Sequence, residues 1–255
     1  MNLTIDNEAK TLTFDEDGVH REIPLFSPKA YEVLSRQWLR VGWALGSYHT
    51  FSWAGQPMLQ LPEDVLRLQE VVYQIQPEVI VETGVCSGGS LLFHATLCEA
   101  IGKGRVIGID IQIPKEVREA VEANRLAHRI TMIAGDSASP AIVGAVRDLV
   151  GSTAPVMVIL DSDHSRAHVL RELEAYAPLV TPGSCMLAED GVMRDLADVP
   201  RGRPEWTKDN PTEAAREFAA AHPEFELRVP AWKFNFGGLR RNITYWPDGW
   251  LWRRS

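Results

Sequence analysis

The sequence predicts an α/β protein with a Rossmann-like, doubly wound and mostly parallel sheet. Three observations support this prediction: short apolar runs alternate with helical stretches, a glycine-rich turn follows the first run, and acidic residues follow the ends of several runs. Runs with little polar alternation, spaced by helices, are typical of strands covered on both faces. With 255 residues, the chain is long enough for one large domain of this kind.

The N-terminal part is predicted to form a hairpin and helix extension. Residues 3–5 and 11–14 alternate polar and apolar side chains around a break, which predicts a short hairpin. From Ser27, a candidate N-cap, to about Leu45, apolar residues recur at helical spacing. Residues 48–62 form an aromatic loop that we expect to cover an active site. We therefore divide the chain into residues 1–62, extension and cover, and residues 63–255, a Rossmann-like domain.

The remaining elements follow in regular order. Strands are predicted at residues 79–81, 106–109, 130–133, 156–160 and 185–188, and helices at 63–74, 89–101, 115–128, 141–149 and 168–176. A further helix is expected near 212–221, with two more strands around 226–229 and 242–246. This alternation predicts one sheet with helices on both faces.

Charge and cysteine content limit the classes of partner. The net charge of -8 and the pI near 5.4 give no broad attraction to nucleic acid or to an anionic membrane, which favours a small-molecule substrate. Three scattered cysteines are too few for a disulfide framework, and the N-terminus lacks the features of a signal peptide. We therefore expect a cytoplasmic protein with no membrane-spanning segment.

The glycine-rich turn runs from Glu82 to Ser90 (ETGVCSGGS) between a strand and a helix. Glycines permit a tight turn and let a ligand approach backbone amides. Asp110 ends the next strand, where a carboxylate can accept hydrogen bonds from a ribose diol. Cys86 stands where the dinucleotide fingerprint needs its second glycine, which disfavours NAD and favours an adenosine cofactor without phosphate. The alternative is a turn that serves helix packing only.

The third strand closes with a second polar turn, Gly135-Asp136-Ser137. Here the adenine end of the ligand is expected, and Asp136 either bonds its exocyclic amine or caps the following turn. Glu82 could hold a cationic amino group. The residues expected to contact the cofactor are Glu82, Thr83, Gly84, Ser87, Gly88, Ser90, Asp110, Asp136 and Ser137.

Three carboxylates follow two strands that we expect to be neighbours. Asp161 follows the strand at 156–160, and Glu189 and Asp190 follow the strand at 185–188. At the carboxyl ends of adjacent parallel strands they would lie in one crevice and repel one another, unless one is protonated or a cation binds. Oxygen ligands without cysteine suit magnesium, which makes a bound hydroxyl a better nucleophile. The alternative is that these acids are solvated loop residues.

His164 follows this cluster, and histidine is a common general base, so it could remove the proton of that hydroxyl or hydrogen-bond to the metal ligands. Asp163 and a metal-bound water are the other candidate bases. Asp161 is expected to act both as a metal ligand and as a catalytic residue. His168, at the start of a helix, is expected to be structural.

These residues resemble the cephalosporin hydroxylase family, S-adenosylmethionine-dependent methyltransferases that include rhamnosyl O-methyltransferases. The similarity covers roughly residues 53–229 and is carried by Trp53-x-Gly55, Gln60-Leu61-Pro62-Glu63-Asp64, Val81-Glu82-Thr83-Gly84, Leu160-Asp161-Ser162-Asp163-His164, Tyr176-Ala177-Pro178-Leu179-Val180 and Glu189-Asp190-Gly191. The resemblance implies a sheet of the class I methyltransferase type, a cofactor at Glu82–Ser90 and a magnesium site at Asp161, Glu189 and Asp190. It also implies a homo-oligomer. The aromatic tail after Asn235 is less typical of the family.

The leading functional hypothesis is O-methyl transfer to a sugar or glycosylated natural product. Trp53, Trp206 and Trp232 could cover a sugar ring, or they could be ordinary packing residues. A catechol acceptor would use the same cluster. Hydroxylation would need a redox centre, and the sequence has no cysteine cluster and no convincing pair of histidines with a carboxylate around open iron positions. A non-catalytic accessory subunit of a hydroxylase is the remaining alternative.

Overall fold

The computed structural model describes residues 2–16 and 18–255, and these form two compact units. The N-terminal unit comprises the chain up to Gly46 together with Ala231–Ile243, and the sheet unit comprises Ser47–Pro230 and Thr244–Ser255. Residues 47–62 therefore belong to the sheet unit, whereas the sequence grouped them with the extension. Their role as a cover stays a prediction.

The N-terminal unit contains the predicted hairpin and helix. Strands β1 (Leu3–Asp6), β2 (Thr11–Glu16) and β3 (Val19–Pro24) form an antiparallel sheet in that order, one strand more than the hairpin predicted. Helix α1 (Pro28–Leu45) begins after Ser27, whose Oγ accepts a hydrogen bond from the Ala30 amide, and ends at Gly46 in the left-handed conformation. The predicted N-cap is thus confirmed.

The sheet unit contains the remaining elements. Its strands are β4 (Ser52–Trp53), β5 (Gln56–Pro57), β6 (Val79–Thr83), β7 (Arg105–Asp110), β8 (Ile130–Ala134), β9 (Val156–Leu160), β10 (Cys185–Ala188), β11 (Phe225–Leu227) and β12 (Trp250–Arg253). Its α-helices are α2 (Pro62–Ile75), α3 (Gly89–Ala100), α4 (Lys115–Glu122), α5 (Pro140–Val150), α6 (Arg166–Tyr176) and α7 (Pro211–Ala221). Each helix and strand predicted between residues 63 and 188 is present.

The main sheet has the order β11-β12-β10-β9-β6-β7-β8. Strands β10, β9, β6, β7 and β8 are parallel, and β12 runs antiparallel to both β10 and β11. Strands β6 and β9 are buried along their whole length, as expected for apolar runs covered on both faces. The predicted doubly wound α/β fold is confirmed. The strand order reverses between β6 and β9, and ligands bind at such a switch point in open α/β sheets.

Two predicted elements differ from the structure. Residues 242–246 form a loop, and the last strand is β12 instead, because the Tyr245 amide and the Thr244 hydroxyl both donate to the buried Asp64 carboxylate. The helix predicted at 115–128 ends at Glu122, and the Asn124 side chain accepts from the Leu126 amide in the turn that follows. In both places a polar side chain accepts a hydrogen bond from a backbone amide in a segment for which the periodicity predicted a strand or a helix.

No helix among the described residues combines the length and the apolar character needed to cross a membrane.

Candidate active site

The candidate site lies where β6 and β9 end side by side. The Asp161 amide donates to the Thr83 carbonyl, and the Glu189 amide donates to the Leu160 carbonyl, so the ladder continues one residue beyond the strands. Gly84 has a φ of 95°, and a Cβ at this position would lie 1.9 Å from the Asp161 carbonyl oxygen. Only glycine fits this approach of the glycine turn to Asp161.

Three side chains converge beside this turn: Asp161, His164 and Asp190. The His164 Nε2 lies 3.6 Å from Asp190 Oδ2 and 4.0 Å from Asp161 Oδ1, and one potential ligand atom of each residue lies within 4.8 Å of the other two. Their side chains are between 22% and 29% exposed, so solvent and a ligand can reach them. The structure thus brings Asp161, Asp190 and His164 close together, and the metal-binding and catalytic roles assigned to them stay predictions.

Glu189 lies behind this group. It is buried, its Oε2 accepts a hydrogen bond of 2.8 Å from Gln60 Nε2, and its Oε1 has no hydrogen-bond partner in the structure. Among the described residues, the potential ligand atoms that lie within 4.8 Å of one another belong to Asp161, His164 and Asp190. Glu189 as the third metal ligand stays a prediction. Glu189 remains adjacent, with one oxygen available.

The carboxylates at this edge hold protons more tightly than usual. Burial, followed by the charges of Asp190 and Glu82, raises the pKa of Asp161 well above its usual range. Burial and the charge of Asp161 do the same to the pKa of Glu189, and burial raises the pKa of Asp190. A bound cation would reduce the repulsion between these carboxylates, because a nearby positive charge favours their ionised form.

The donor set and its burial fit a hard divalent cation. One oxygen each of Asp161 and Asp190 belongs to the converging group, and the buried Glu189, whose carboxylate interacts electrostatically with both, adds a further carboxylate. Carboxylate oxygens are the ligands that magnesium prefers. The residues present therefore match the chemistry of a magnesium site.

Asp110 shapes the glycine turn. Its Oδ2 accepts hydrogen bonds from the amides of Val85 (2.9 Å) and Cys86 (3.0 Å), and the non-glycine Cys86 has a φ of 46°. A carboxylate has about four lone-pair sites. The hydrogen bonds to the turn therefore leave room for the predicted contact with a ribose, and that contact stays a prediction.

The other predicted residues of the turn lie around it at different depths. Gly88 is the N-cap of α3 with a φ of 80°, Ser87 and Ser90 are half-buried, and Thr83 is buried with an unpartnered hydroxyl.

Glu82 is fully buried, and burial raises its pKa to about 8, opposed by the hydroxyl of Ser90. Its Oε2 lies 3.4 Å from Nε2 of the equally buried His94, whose pKa burial lowers to about 3. A role for Glu82 toward a cationic amino group stays a prediction.

The side chains of the polar turn after β8, Asp136 and Ser137, form hydrogen bonds with other groups of the protein. Asp136 Oδ1 accepts from the Ala138 amide, which is the capping alternative that the sequence left open. The Ser137 hydroxyl donates to Glu172 Oε1, as does the Ser162 hydroxyl, and His168 Nε2 lies 3.3 Å from the same oxygen. We call these four side chains, Ser137, Ser162, His168 and Glu172, the buried network. The expected structural role of His168 agrees with its place there, and the cofactor contact of Ser137 stays a prediction.

Of the two side chains considered as bases, His164 has the better position. Asp163 is exposed, and its Oδ1 accepts from the Ser165 amide. The hydrogen bonds to Ser165 lower the pKa of Asp163, which makes it a weaker base.

Two tyrosines, Tyr48 and Tyr245, lie close enough to the cluster for the charge of Asp190 to act on them, and a sugar-facing role for Trp206 and Trp232 stays a prediction. Trp53 donates to Thr96 and packs edge-on against Phe93, which is a packing role. The rings of Tyr48 and Tyr245 meet edge to face at 5.9 Å, and the charge of Asp190 adds to the burial that raises the pKa of each. Tyr48, Gln60, Asp64, His94 and Tyr245 were not singled out from the sequence; Gln60 and Asp64 lie inside one of the quoted motifs.

The chain was compared with known proteins. The family model described as rhamnosyl O-methyltransferase/CmcI matches residues 46–254. A rhamnosyl O-methyltransferase of Mycobacterium leprae is 31% identical over 163 residues, which are 62% of this chain and 69% of that protein. One from Mycobacterium bovis is 29% identical over 130 residues, 50% of this chain and 51% of that protein. A CmcI structure with Mg and SAM is 22% identical with a TM-score of 0.54, covering 81% of this chain and 78% of that one.

The structural similarity supports the fold, and the family model spans most of the chain. The resemblance inferred from the motifs is thereby confirmed, and with it the assignment to a family of O-methyltransferases. The chain belongs to the rhamnosyl O-methyltransferase/CmcI family.

Proposed function

We propose that this protein transfers the methyl group of S-adenosylmethionine to a hydroxyl of a sugar or glycosylated natural product, with magnesium bound at the site. The observation that carries this proposal is the convergence of Asp161, His164 and Asp190 at the switch point of the sheet, beside the glycine turn. Relatives named rhamnosyl O-methyltransferase support a sugar acceptor.

The glycine turn and Asp110 are proposed to hold the cofactor. Glu82, Thr83, Gly84, Ser87, Gly88 and Ser90 surround the turn, while Asp136 and the Ser137 backbone border its adenine side. Asp161, Glu189 and Asp190 are proposed to hold magnesium, which supplies a positive charge that acidifies the acceptor hydroxyl. His164 then accepts the hydroxyl proton at Nε2. Tyr48, which is half-buried and packs edge to face against the buried Tyr245, is proposed to offer its aromatic face to the apolar side of a sugar ring.

The cellular setting belongs to the same proposal. Cys86, Cys98 and Cys185 are free thiols, which supports a reducing compartment and thus the cytoplasm. The protein is proposed to form a homo-oligomer and to bind neither nucleic acid nor membrane, in keeping with its net charge of -8.

Binding and turnover test the proposal separately. Calorimetric titration should show saturable binding of S-adenosylhomocysteine and no binding of NAD. Labelled S-adenosylmethionine should then methylate an aryl rhamnoside in the presence of Mg²⁺, and EDTA should stop transfer. Methylation of a catechol but not of rhamnosides would contradict the sugar assignment. Transfer that is unchanged in EDTA would overturn the metal mechanism, and binding of NAD alone would overturn the cofactor.

A further inference from the structure

Two fully buried polar side chains face each other where the glycine turn begins. Glu82 lies near the end of β6 and His94 lies on α3, and neither side chain is exposed to solvent. Glu82 Oε2 and His94 Nε2 are 3.4 Å apart. Among the described residues, neither the two Glu82 oxygens nor the two His94 nitrogens have a partner with normal hydrogen-bond geometry. Such a pair needs an explanation, because each unpartnered buried polar group costs free energy in the folded protein.

The packing of α3 on the sheet brings the two side chains together. Val81 packs into the core on one face of β6, so Glu82 points to the opposite face, because side chains alternate along a strand. The neighbour of Glu82 on β7 is Gly108, and a Cβ at Gly108 would lie 2.7 Å from the Leu91 side chain of α3. His94 follows Leu91 by three residues and therefore lies on the same, sheet-facing side of this helix.

The Glu82 carboxylate also lies within electrostatic reach of the candidate site. The Ser90 hydroxyl is near it and partly offsets the effect of burial on its pKa. The charge of Glu82 in turn contributes to the raised pKa values of Asp161 and Glu189. The carboxylate therefore belongs to the switch point of the sheet, where the proposed function places the cofactor.

A neutral imidazole beside this carboxylate suits the recognition of a cation. Burial lowers the pKa of His94 to about 3, so its ring is neutral and carries one N–H donor and one acceptor nitrogen. A neutral N–H can orient a carboxylate oxygen without cancelling the charge of the carboxylate. That charge stays available for a cationic ligand, which a buried carboxylate without another partner requires. The amino-acid half of S-adenosylmethionine carries such a cation, a primary ammonium group.

We propose that His94 is a positioning residue, whose Nε2–H orients Glu82 Oε2 so that the carboxylate receives the ammonium group of the cofactor. The proposal rests on the cofactor binding in the proposed function, and it adds the residue that makes recognition of the amino-acid half depend on charge. His94 acts through Glu82 and touches no reacting atom. A ligand that lacks the ammonium group gains nothing from the pair.

Calorimetric titration with two probes tests this role. The probes are S-adenosylhomocysteine and its deaminated analogue, in which hydrogen replaces the amino group. The wild type should bind the first about thirtyfold more tightly, because hydrogen bonds between charged groups are strong. His94→Leu should reduce this preference by about tenfold, whereas His94→Gln, which keeps an N–H donor, should retain it within about threefold. Equal binding of both probes by the wild type, or an unchanged preference in His94→Leu, would overturn the proposal.

Leu92→Ala is the matched control, because Leu92 is fully buried on the same helix. It should lower the midpoint of thermal unfolding and leave the preference between the probes unchanged. An equal loss of preference in Leu92→Ala and His94→Leu would assign the effect to packing of α3 and overturn the proposal. If circular dichroism shows that His94→Leu does not fold, His94→Asn replaces it, because its shorter amide does not reach Glu82 and should lose the preference as well.

Kinetics separate this proposal from the proposed function. His94→Leu should raise the KM for S-adenosylmethionine by about tenfold and change kcat by less than about twofold, because the pair contributes to binding and contacts no reacting atom. A loss confined to kcat would overturn the positioning role. A wild type that binds neither probe would overturn the cofactor assignment together with this proposal. Tight binding of S-adenosylhomocysteine with the same preference in wild type and His94→Leu would overturn only the role of His94.

Discussion

Two groups of polar side chains follow strands of the same sheet, and they differ in how their charges are balanced. In the buried network, one oxygen of Glu172 on α6 lies against two serine hydroxyls and His168 of the same helix. The group of Asp161, His164, Glu189 and Asp190, here called the open cluster, contains three carboxylates with raised pKa values and a side-chain edge open to solvent. A titratable residue at a strand end therefore indicates function only when the protein leaves its charge unbalanced.

The largest difference between the two regions should appear in turnover. Asp161→Asn removes a negative charge from the open cluster while keeping its shape, so methyl transfer should fall by roughly a hundredfold or more. Binding of S-adenosylhomocysteine, measured by calorimetry, should stay within about twofold, a change of under 1 kcal/mol. Normal turnover of this variant would exclude metal activation at the cluster.

The buried network should instead govern stability. Glu172→Ala leaves the buried Ser137 hydroxyl and the partly buried Ser162 hydroxyl without their acceptor, and we expect a loss of about 2–4 kcal/mol in the free energy of unfolding. Urea denaturation measures this loss, and turnover per folded molecule should be unchanged. Glu172→Gln keeps an acceptor oxygen and should cost less. A Gln variant that is stable yet inactive would contradict the structural role.

Gln60 connects the loop before α2 to the open cluster through Glu189. Gln60→Ala should raise the Mg²⁺ concentration for half-maximal turnover by about tenfold, because groups behind metal ligands tune their orientation. Gln74→Ala, at an exposed position on α2, is the matched control. If both variants need the same Mg²⁺ concentration as the wild type, Gln60 does not position Glu189.

The smallest effect concerns pH. The hydrogen bond to Glu172 raises the pKa of His168 above its usual value of 6.5. The folded protein thus binds this proton more tightly than the unfolded chain, so the resulting stability is fully present below pH 6.5 and is lost as pH rises through the folded pKa. His168→Gln should make the midpoint of thermal unfolding less dependent on pH between pH 6.5 and the folded pKa of His168. A pH dependence identical to wild type would place the titration elsewhere.

Several elements could be predicted because their signals are local. The strand and helix order from residue 63 to 188 follows from apolar runs and their spacing, and Asp161 and Asp190 follow directly from strand ends that parallel pairing aligns. The loop at 242–246 could not be predicted, because its backbone is held by Asp64, some 180 residues earlier in the chain. No periodicity reports such a distant hydrogen bond.

The sequence by itself determined the doubly wound sheet and the glycine turn, because hydrophobic periodicity and glycine conformation act over a few residues. The family followed from the resemblance of short motifs in the same sequence. Only the tertiary structure decided that His164 lies beside Asp161 and Asp190, whereas Glu189 accepts a hydrogen bond from Gln60. The same is true of the hydrogen bond that the Ser137 hydroxyl donates to Glu172. These contacts depend on which buried polar atoms can form hydrogen bonds with one another. The atoms belong to segments that are distant in the sequence and that only folding brings together.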